Sequence, residues 1–277
     1  MSNHEPHSAG WQVEQSASEA YEAYLVPSIF TAWADRLIET GDVQAGDRVL
    51  DVACGTGIVA RRAASRVGTS GSVDGLDINE GMLAVAEKTA ADSHPSIEWQ
   101  QGDAMELPFP EEQFDIVCCQ QALQFFDDPT AAVEEMGRVL APGGRVALSV
   151  WRPLDYQPAY KILAEALERH VDAEAGAMMR SPFPAWEQED IRTLVQNAAF
   201  DAVSVTIEIG AVRYPSVAAF VRREAASSPL AGSLAAVERT VRAELVQEVE
   251  DELRVYSDDE GIVSPMESYI VTAERSQ

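Results

Sequence analysis

The chain has 277 residues, 46% hydrophobic and 24% charged, an ordinary globular mixture with room for one large α/β domain. Acidic residues number 46 against 20 Lys and Arg, a formal charge of -26, and only Lys88 and Lys161 are lysines. Such a surface repels phosphate backbones and anionic lipid, which argues against nucleic-acid and membrane-surface substrates.

The opening MSNHEPHSAG has no basic region leading into an apolar one, so residues 1–15 are expected to form a flexible arm and not a secretory signal. Residues 16–40 predict helix on either side of Pro27, stopped by Gly41. A turn over GDVQAG leads to a short buried strand from Arg48 to Val52, which CGTG breaks. Ile58 to Val67 predicts a helix, Ser72 to Asp77 a second strand and Glu80 to Ala91 another helix. Ile97 to Gln100 and Phe114 to Cys119 read as strands three and four, Pro129 to Leu140 as a helix and Arg145 to Val150 as a fifth strand. Strands alternating with helices imply a doubly wound, mostly parallel sheet that binds ligands along the carboxyl edge of its strands.

After Trp151 the pattern changes. Prolines and a helix from Ala159 to His170 read as a lid. Glu187 to Ala199 is a further helix, and Val203 to Ile209 and Glu267 to Ala273 form an antiparallel strand pair. Residues 216–256 between them are helical, with a break near Ser227-Ser228-Pro229. The expected organisation is one domain over residues 16–277, with its core at 41–152 and helical lid insertions at 153–186 and 215–260. The final helix and strands occupy 187–214 and 261–277. No stretch is long and apolar enough to span a bilayer.

Cys54, Cys118 and Cys119 are an odd set with two neighbours, which suits a reducing cytoplasm. The last two read as strand packing and not as nucleophiles. Four scattered histidines and no CxxC give no basis for a metal site. The acid excess serves solubility, and it equally suits a halophilic cytoplasm where counterions screen self-repulsion.

The chemistry concentrates at strand ends. In VLDVACGTG a buried strand delivers Asp51 to the sheet edge, where its carboxylate suits a ligand ammonium group. Gly55 and Gly57 let the backbone turn tightly and approach a ligand. Asp77 ends the second strand about twenty residues on, where an acid can accept both hydroxyls of a ribose, although a helix N-cap is an equal alternative. Gly102-Asp103-Ala104 follows the third strand and fits an adenine edge or a plain turn. Arg138 to Gly144 reads as purely structural. Gly55-x-Gly57-x-x-Ala60 nearly satisfies a nicotinamide-dinucleotide fingerprint. Asp51 would set a negative charge beside the pyrophosphate, and a second nucleotide-binding half is missing, so an oxidoreductase is the weaker reading.

Taken together, VLDVACGTG, GLDINEGML, GDAMELPFPEEQFDIVCCQQALQFFDDP and RVLAPGGRVALSVW resemble the class I S-adenosylmethionine (SAM)-dependent methyltransferases over roughly residues 45–152. The branch they resemble includes the ubiquinone/menaquinone C-methyltransferases. Ala53 stands where many relatives carry the first loop glycine, and the C-terminal part does not look like that of the quinone enzymes. The resemblance implies that Asp51, Ala53, Cys54, Gly55 and Gly57 line the methionine moiety of SAM and that Asp77 binds the ribose. It sets Ile78 and Met82 against the adenine, Gly102, Asp103 and Ala104 at the adenine edge, and Gln120 beside the methionine.

A methyl donor that carries its own leaving group asks the protein to align a nucleophile and exclude water. No histidine ends a strand, so no base is evident. Gln121, Gln124, Phe125, Trp151 and Arg152 follow strands four and five and are expected to face the acceptor, with Arg152 attracting an acidic group on it. Tyr21 and Tyr24 on the first helix are placed to close over SAM. Met178, Met179, Phe183 and Trp186 in the lid favour a small, flat or apolar acceptor. A SAM-binding protein without catalysis stays open as an alternative. So do the acceptor's identity and the oligomeric state, a homodimer included.

Overall fold

The computed structural model describes residues 15–276, so the arm expected over residues 1–15 lies outside the described residues except for Gln15. The chain opens with helix α1 (Gln15–Ala20), a π-helical stretch (Tyr21–Phe30) and α2 (Thr31–Thr40). Then follow β1 (Arg48–Val52), α3 (Ile58–Val67), β2 (Ser72–Asp77), α4 (Glu80–Thr89), β3 (Ile97–Gln101), β4 (Phe114–Gln120), α5 (Pro129–Val139) and β5 (Leu140–Trp151). Beyond them come α6 (Pro158–His170), α7 (Ala173–Arg180), α8 (Gln188–Asn197), β6 (Phe200–Tyr214), α9 (Val217–Ala226), α10 (Leu230–Ala236), α11 (Arg239–Glu252), β7 (Ser257–Asp258) and β8 (Gly261–Arg275). None of the described helices is long and apolar enough to cross a membrane.

The sheet runs β3-β2-β1-β4-β5-β8-β6, with β7 beside β8. The first five strands pair in parallel, and β8 and β6 close the sheet antiparallel. The apolar runs explain the parallel part. In β4, Ile116 and Cys118 point into the core shared with α2 and α3, while Val117 and Cys119 point into the core shared with α5 and α8. A strand buried on both faces reads as a continuous apolar run. All three cysteines are free and buried, and burial raises their thiol pKa values.

Three strands run longer than expected, β5 starting already at Leu140, and the first helix has a register that the sequence did not show. The N-terminal segment is helical on either side of Pro27, as expected, and it also passes through the proline itself, in π register. The Thr31 N–H and hydroxyl both donate to Val26 O, five residues back, which satisfies a carbonyl near the proline. The last two strands are about twice as long as their apolar alternation predicted, β6 and β8 having 15 residues each. Their continuous ladder from Tyr214↔Ile262 to Ser204↔Thr272 holds the added residues in extended form.

Above the carboxyl edge, α6 packs on α7 and α11, and α9 packs on α11 and on the π-helical stretch. The segments before and after β6 thus form one helical cap over the ends of β1, β2 and β4. Arg61 of α3 ties the cap's floor down by pairing with Glu22 at 2.8 Å.

Candidate active site

A cavity of about 300 Å³ lies between the sheet edge and the cap. Its sheet-side wall comes from the turns after four strands: Ala53 and Gly55, Asp77 to Asn79, Gly102 to Met105, and Gln120 to Ala122. Its cap-side wall is aromatic and apolar, with Tyr21, Phe30, Trp151, Tyr160, Phe183 and Met266. Glu224 of α9 is set into this wall. Among the described residues, no Lys, Arg or His lines the cavity.

The turn after β1 is left-handed at three positions, with φ of 54° at Ala53, 56° at Gly55 and 81° at Gly57. Glycine takes that conformation at no steric cost. A Cβ added to Gly55 would stand in open space, so the backbone there is bare to whatever fills the cavity. Register puts Val52 opposite Leu76, so Asp77 lies just past the end of β1 and reaches the turn. Its carboxylate accepts from the Gly55 N–H at 2.7 Å and the Asn79 N–H at 2.8 Å. Asn79, not Asp77, caps α4, its side chain accepting from Met82 N. That leaves Asp77 at the sheet edge and disposes of its reading as an N-cap. Burial raises the Asp77 pKa against the three backbone donors that lower it.

Most of the sequence-predicted residues meet here. Tyr21, Ala53, Gly55, Asp77, Ile78, Met82, Gly102, Asp103, Ala104, Gln120, Gln121 and Trp151 all line the cavity. Asp103 also accepts from Met105 N at 2.8 Å, which rigidifies its turn. Gln120 Oε1 is buried and unpartnered, an acceptor awaiting a donor. Trp151 meets Trp33 edge-on at 5.4 Å and is fixed further by Phe30 and Phe183.

Others stand behind the wall. Asp51 is buried and accepts from the Ala60 N–H at 2.9 Å, bracing the first turn of α3. Burial pushes its pKa up to about 8. Cys54 and Gly57 lie under the turn, where Gly57 gives room to the Trp99 indole. Three expectations are corrected. Gln124 turns away and donates to Gln121 O at 2.9 Å. Tyr24 is exposed beside Arg223, whose guanidinium carbon sits 5.4 Å from the ring centre. Arg152 does not face an acceptor: it is paired with Glu267 and laid on the Tyr156 ring at 3.4 Å.

Sequence reasoning missed Glu224. It is buried, and its Oε1 accepts from the Tyr160 hydroxyl at 2.9 Å and the Tyr214 hydroxyl at 2.7 Å. Burial pushes its pKa up to about 7 although both hydrogen bonds favour the charged form. One signal was available. Glu224 follows Val217, Phe220 and Val221 by seven, four and three residues, so it occupies a position on the apolar face of α9.

Comparison with known proteins agrees with this architecture. A family profile described as a methyltransferase domain matches residues 49–144. The ubiquinone/menaquinone biosynthesis C-methyltransferase UbiE of Chromobacterium violaceum is 36% identical over 166 residues, 51% of this chain and 68% of that protein. The demethylmenaquinone methyltransferase of Staphylococcus carnosus is 33% identical over 190 residues, 65% of this chain and 78% of that one. In fold, the chain is similar to the Haemonchus contortus phosphoethanolamine N-methyltransferase 2, solved with SAM, with a TM-score of 0.61 at 20% identity. That match covers 95% of this chain and 58% of the other. The chain belongs to the SAM-dependent methyltransferases, enzymes built on this partly antiparallel, Rossmann-like sheet.

The cavity suits the cofactor that the family implies. Bare backbone at Gly55, carboxylates at Asp77 and Asp103, and the unpartnered Gln120 Oε1 form an acceptor-rich wall with no cationic competitor among the described residues of the lining. A ligand that brings an ammonium group, hydroxyls and a sulfonium charge answers each of them.

The correction at Arg152 carries a prediction. Arg152→Ala leaves the half-buried Glu267 without its partner and strips the cover from Tyr156. It should cost about 2–4 kcal/mol of stability in urea denaturation. Calorimetric affinity for S-adenosylhomocysteine (SAH) should stay within about twofold. A large loss of SAH binding at full stability would restore Arg152 to the site.

Proposed function

We propose that the protein transfers the methyl group of SAM to a small apolar or aromatic acceptor, of quinol type, held under the cap. The observation that carries this reading is the continuity of one cavity from Asp77 to an aromatic wall. Ala53, Gly55 and Gln120 would hold the methionine moiety, and Asp77 the ribose. Ile78 and Met82 would hold the adenine face, and Gly102, Asp103 and Ala104 its edge. When bound, SAM supplies a methyl group on a positively charged sulfur. The chain's own part is to align the acceptor and keep water out.

Tyr21 joins the two halves. It stacks on Phe30 at 5.0 Å. Burial raises its pKa well above the ordinary phenol value, and Glu22, Asp77, Asp51 and Glu224 add to the rise. It therefore stays a neutral hydroxyl donor between the carboxylates. A lining in which the described residues include no cation disfavours acceptors that carry carboxylate or phosphate groups. The two similar proteins named for menaquinone and ubiquinone chemistry support a quinol-like ring.

The test is an acceptor panel. The protein is incubated with SAM and quinols, phenols or sterol-like compounds, and in parallel with amino acids and phosphorylated alcohols. Mass spectrometry should find SAH and a methylated product with members of the first set. Turnover confined to the second set would refute the proposed acceptor class.

A further inference from the structure

Resting on the methyltransferase reading above, we propose that Glu224 is the catalytic base of the acceptor pocket, taking the proton from a hydroxyl-bearing aromatic acceptor. Tyr160 and Tyr214 act as its positioning residues.

Three features of the geometry support this. First, Glu224 lines the cavity together with Tyr160, Phe183 and Trp151, near enough to Tyr21 to raise its pKa; Asp127, a further acid of the lining, follows Phe125 and Phe126 on the loop after β4. Second, its two oxygens differ. Oε1 takes both tyrosine hydroxyls, which locks the carboxylate plane. Oε2 takes part in neither bond, and Glu224 is itself one of the residues that line the cavity. Third, the supports are rigid. Tyr160 packs on Phe183 at 5.1 Å and edge-on to Phe220 at 5.5 Å, and Tyr214 is fully buried against Phe220.

A carboxylate built only to join α9 to β6 needs no place in a cavity wall. An acceptor hydroxyl placed at Oε2 would complete the group's hydrogen bonding. In the step itself, the acceptor O–H bond breaks and an O–H bond forms on Oε2. The electron pair stays on the acceptor oxygen, ready for methylation, and the carboxylate becomes a neutral acid. Charge is conserved, and no oxidant or metal enters.

The charged and titratable surroundings of Glu224 are few. Tyr160 comes from α6, Tyr214 from β6 and Tyr21 from the π-helical stretch. On α9 itself, Arg223 lies 6.0 Å from the Tyr214 ring centre. Glu22 is paired with Arg61, α10 has no charged residue, and α11 buries Leu245 and Val249. With a pKa near 7, the group is poised to accept a proton at neutral pH.

The test uses 2-naphthol, a neutral hydroxyl-bearing ring, and 2-methoxynaphthalene, its non-donating counterpart, with binding followed by fluorescence without SAM. Ionised Glu224 accepts a stronger hydrogen bond than its protonated form. Wild-type affinity for 2-naphthol should therefore rise about fivefold from about pH 5.5 to about pH 8.5. The methoxy compound should show a flat profile. Glu224→Gln should bind 2-naphthol more weakly and flatten its profile. Tyr160→Phe with Tyr214→Phe should move the midpoint to higher pH, because both hydrogen bonds favour the charged form. SAH affinity, measured by calorimetry on the same samples, should be unchanged in every variant.

Equal binding of both naphthalenes, or an E224Q profile that matches wild type, overturns the proposal while SAH binding preserves the methyltransferase reading. Preference for benzylamine with the same dependence on Glu224 also overturns it, by making the site one for cations. Failure of the wild type to bind SAH would instead remove the reading beneath it.

Discussion

Replacing Asp77 with Ala should weaken SAH binding at least tenfold by calorimetry while leaving most of the thermal stability in place. The affinity loss has two sources. The carboxylate that would accept from the ribose disappears, and the Gly55 and Asn79 N–H groups lose their acceptor. Hydrogen bonds to charged groups contribute about 1.5–3 kcal/mol, and tenfold in affinity needs only about 1.4 kcal/mol. The fold is affected less because burial already penalises an ionised Asp77, as its raised pKa shows. A carboxyl group with a raised native pKa favours the folded state while protonated, at low pH. That contribution disappears as pH rises through the native value. The wild type's advantage over the variant should therefore shrink as pH rises from about 4 toward neutrality. Asp77→Asn should not rescue binding. Its amide offers one acceptor oxygen, and its NH2 group would confront the second backbone donor. Wild-type affinity in either variant would remove Asp77 from the proposed ribose site.

What the sequence disclosed follows from which interactions are local. β1 and β4 are short, largely apolar runs ended by polar or glycine-containing turns, and their burial on both faces makes them visible without partners. The carboxyl edge then follows from right-handed crossovers, so the placing of Asp77, Asp103 and Gln120 around one cavity was foreseeable. β6 was harder. Ile207 and Ile209 are exposed, so its extent is set by pairing with β8 and not by an apolar face. The passage of the first helix through Pro27 was not legible because the usual rule assumes α register, whereas Val26 O finds its donors five residues on. Arg152 and Glu267 are 115 positions apart in sequence, so the pairing that removes Arg152 from the acceptor could not be read from a strand end. Glu224 shows the limit most clearly. Its place on the apolar face of α9 was legible, but a partner that justifies a buried acid, Tyr160, lies 64 residues away. Only the folded cap shows that the acid borders a cavity.

Gly57→Ala should be among the most destabilising single-methyl changes in the chain, for a reason separate from ligand contact. Gly57 begins α3 with φ of 81°, and its added Cβ would sit 2.4 Å from Cη2 of Trp99. The same indole covers Gly75, where a Cβ would stand 2.4 Å from Cζ3, so the ring edge is packed against two glycines at once. Trp99 is opposite Gly75 in the β2–β3 register, and two glycines thus make the slot that one tryptophan fills. The left-handed backbone alone costs alanine about 1–2 kcal/mol, and overpacking adds about 1–3 kcal/mol. A combined loss of about 3 kcal/mol is a large share of the stability of an ordinary domain and should appear as a lower urea midpoint at unchanged slope. The two terms can be separated. Adding Trp99→Leu to Gly57→Ala opens the slot but leaves φ as it was. The double variant should regain the overpacking part, measured against Trp99→Leu alone, and not the backbone part. Recovery of the full loss would show that steric crowding is the whole effect. No recovery would show that the positive φ, and not the indole, is why glycine is required where the loop enters α3.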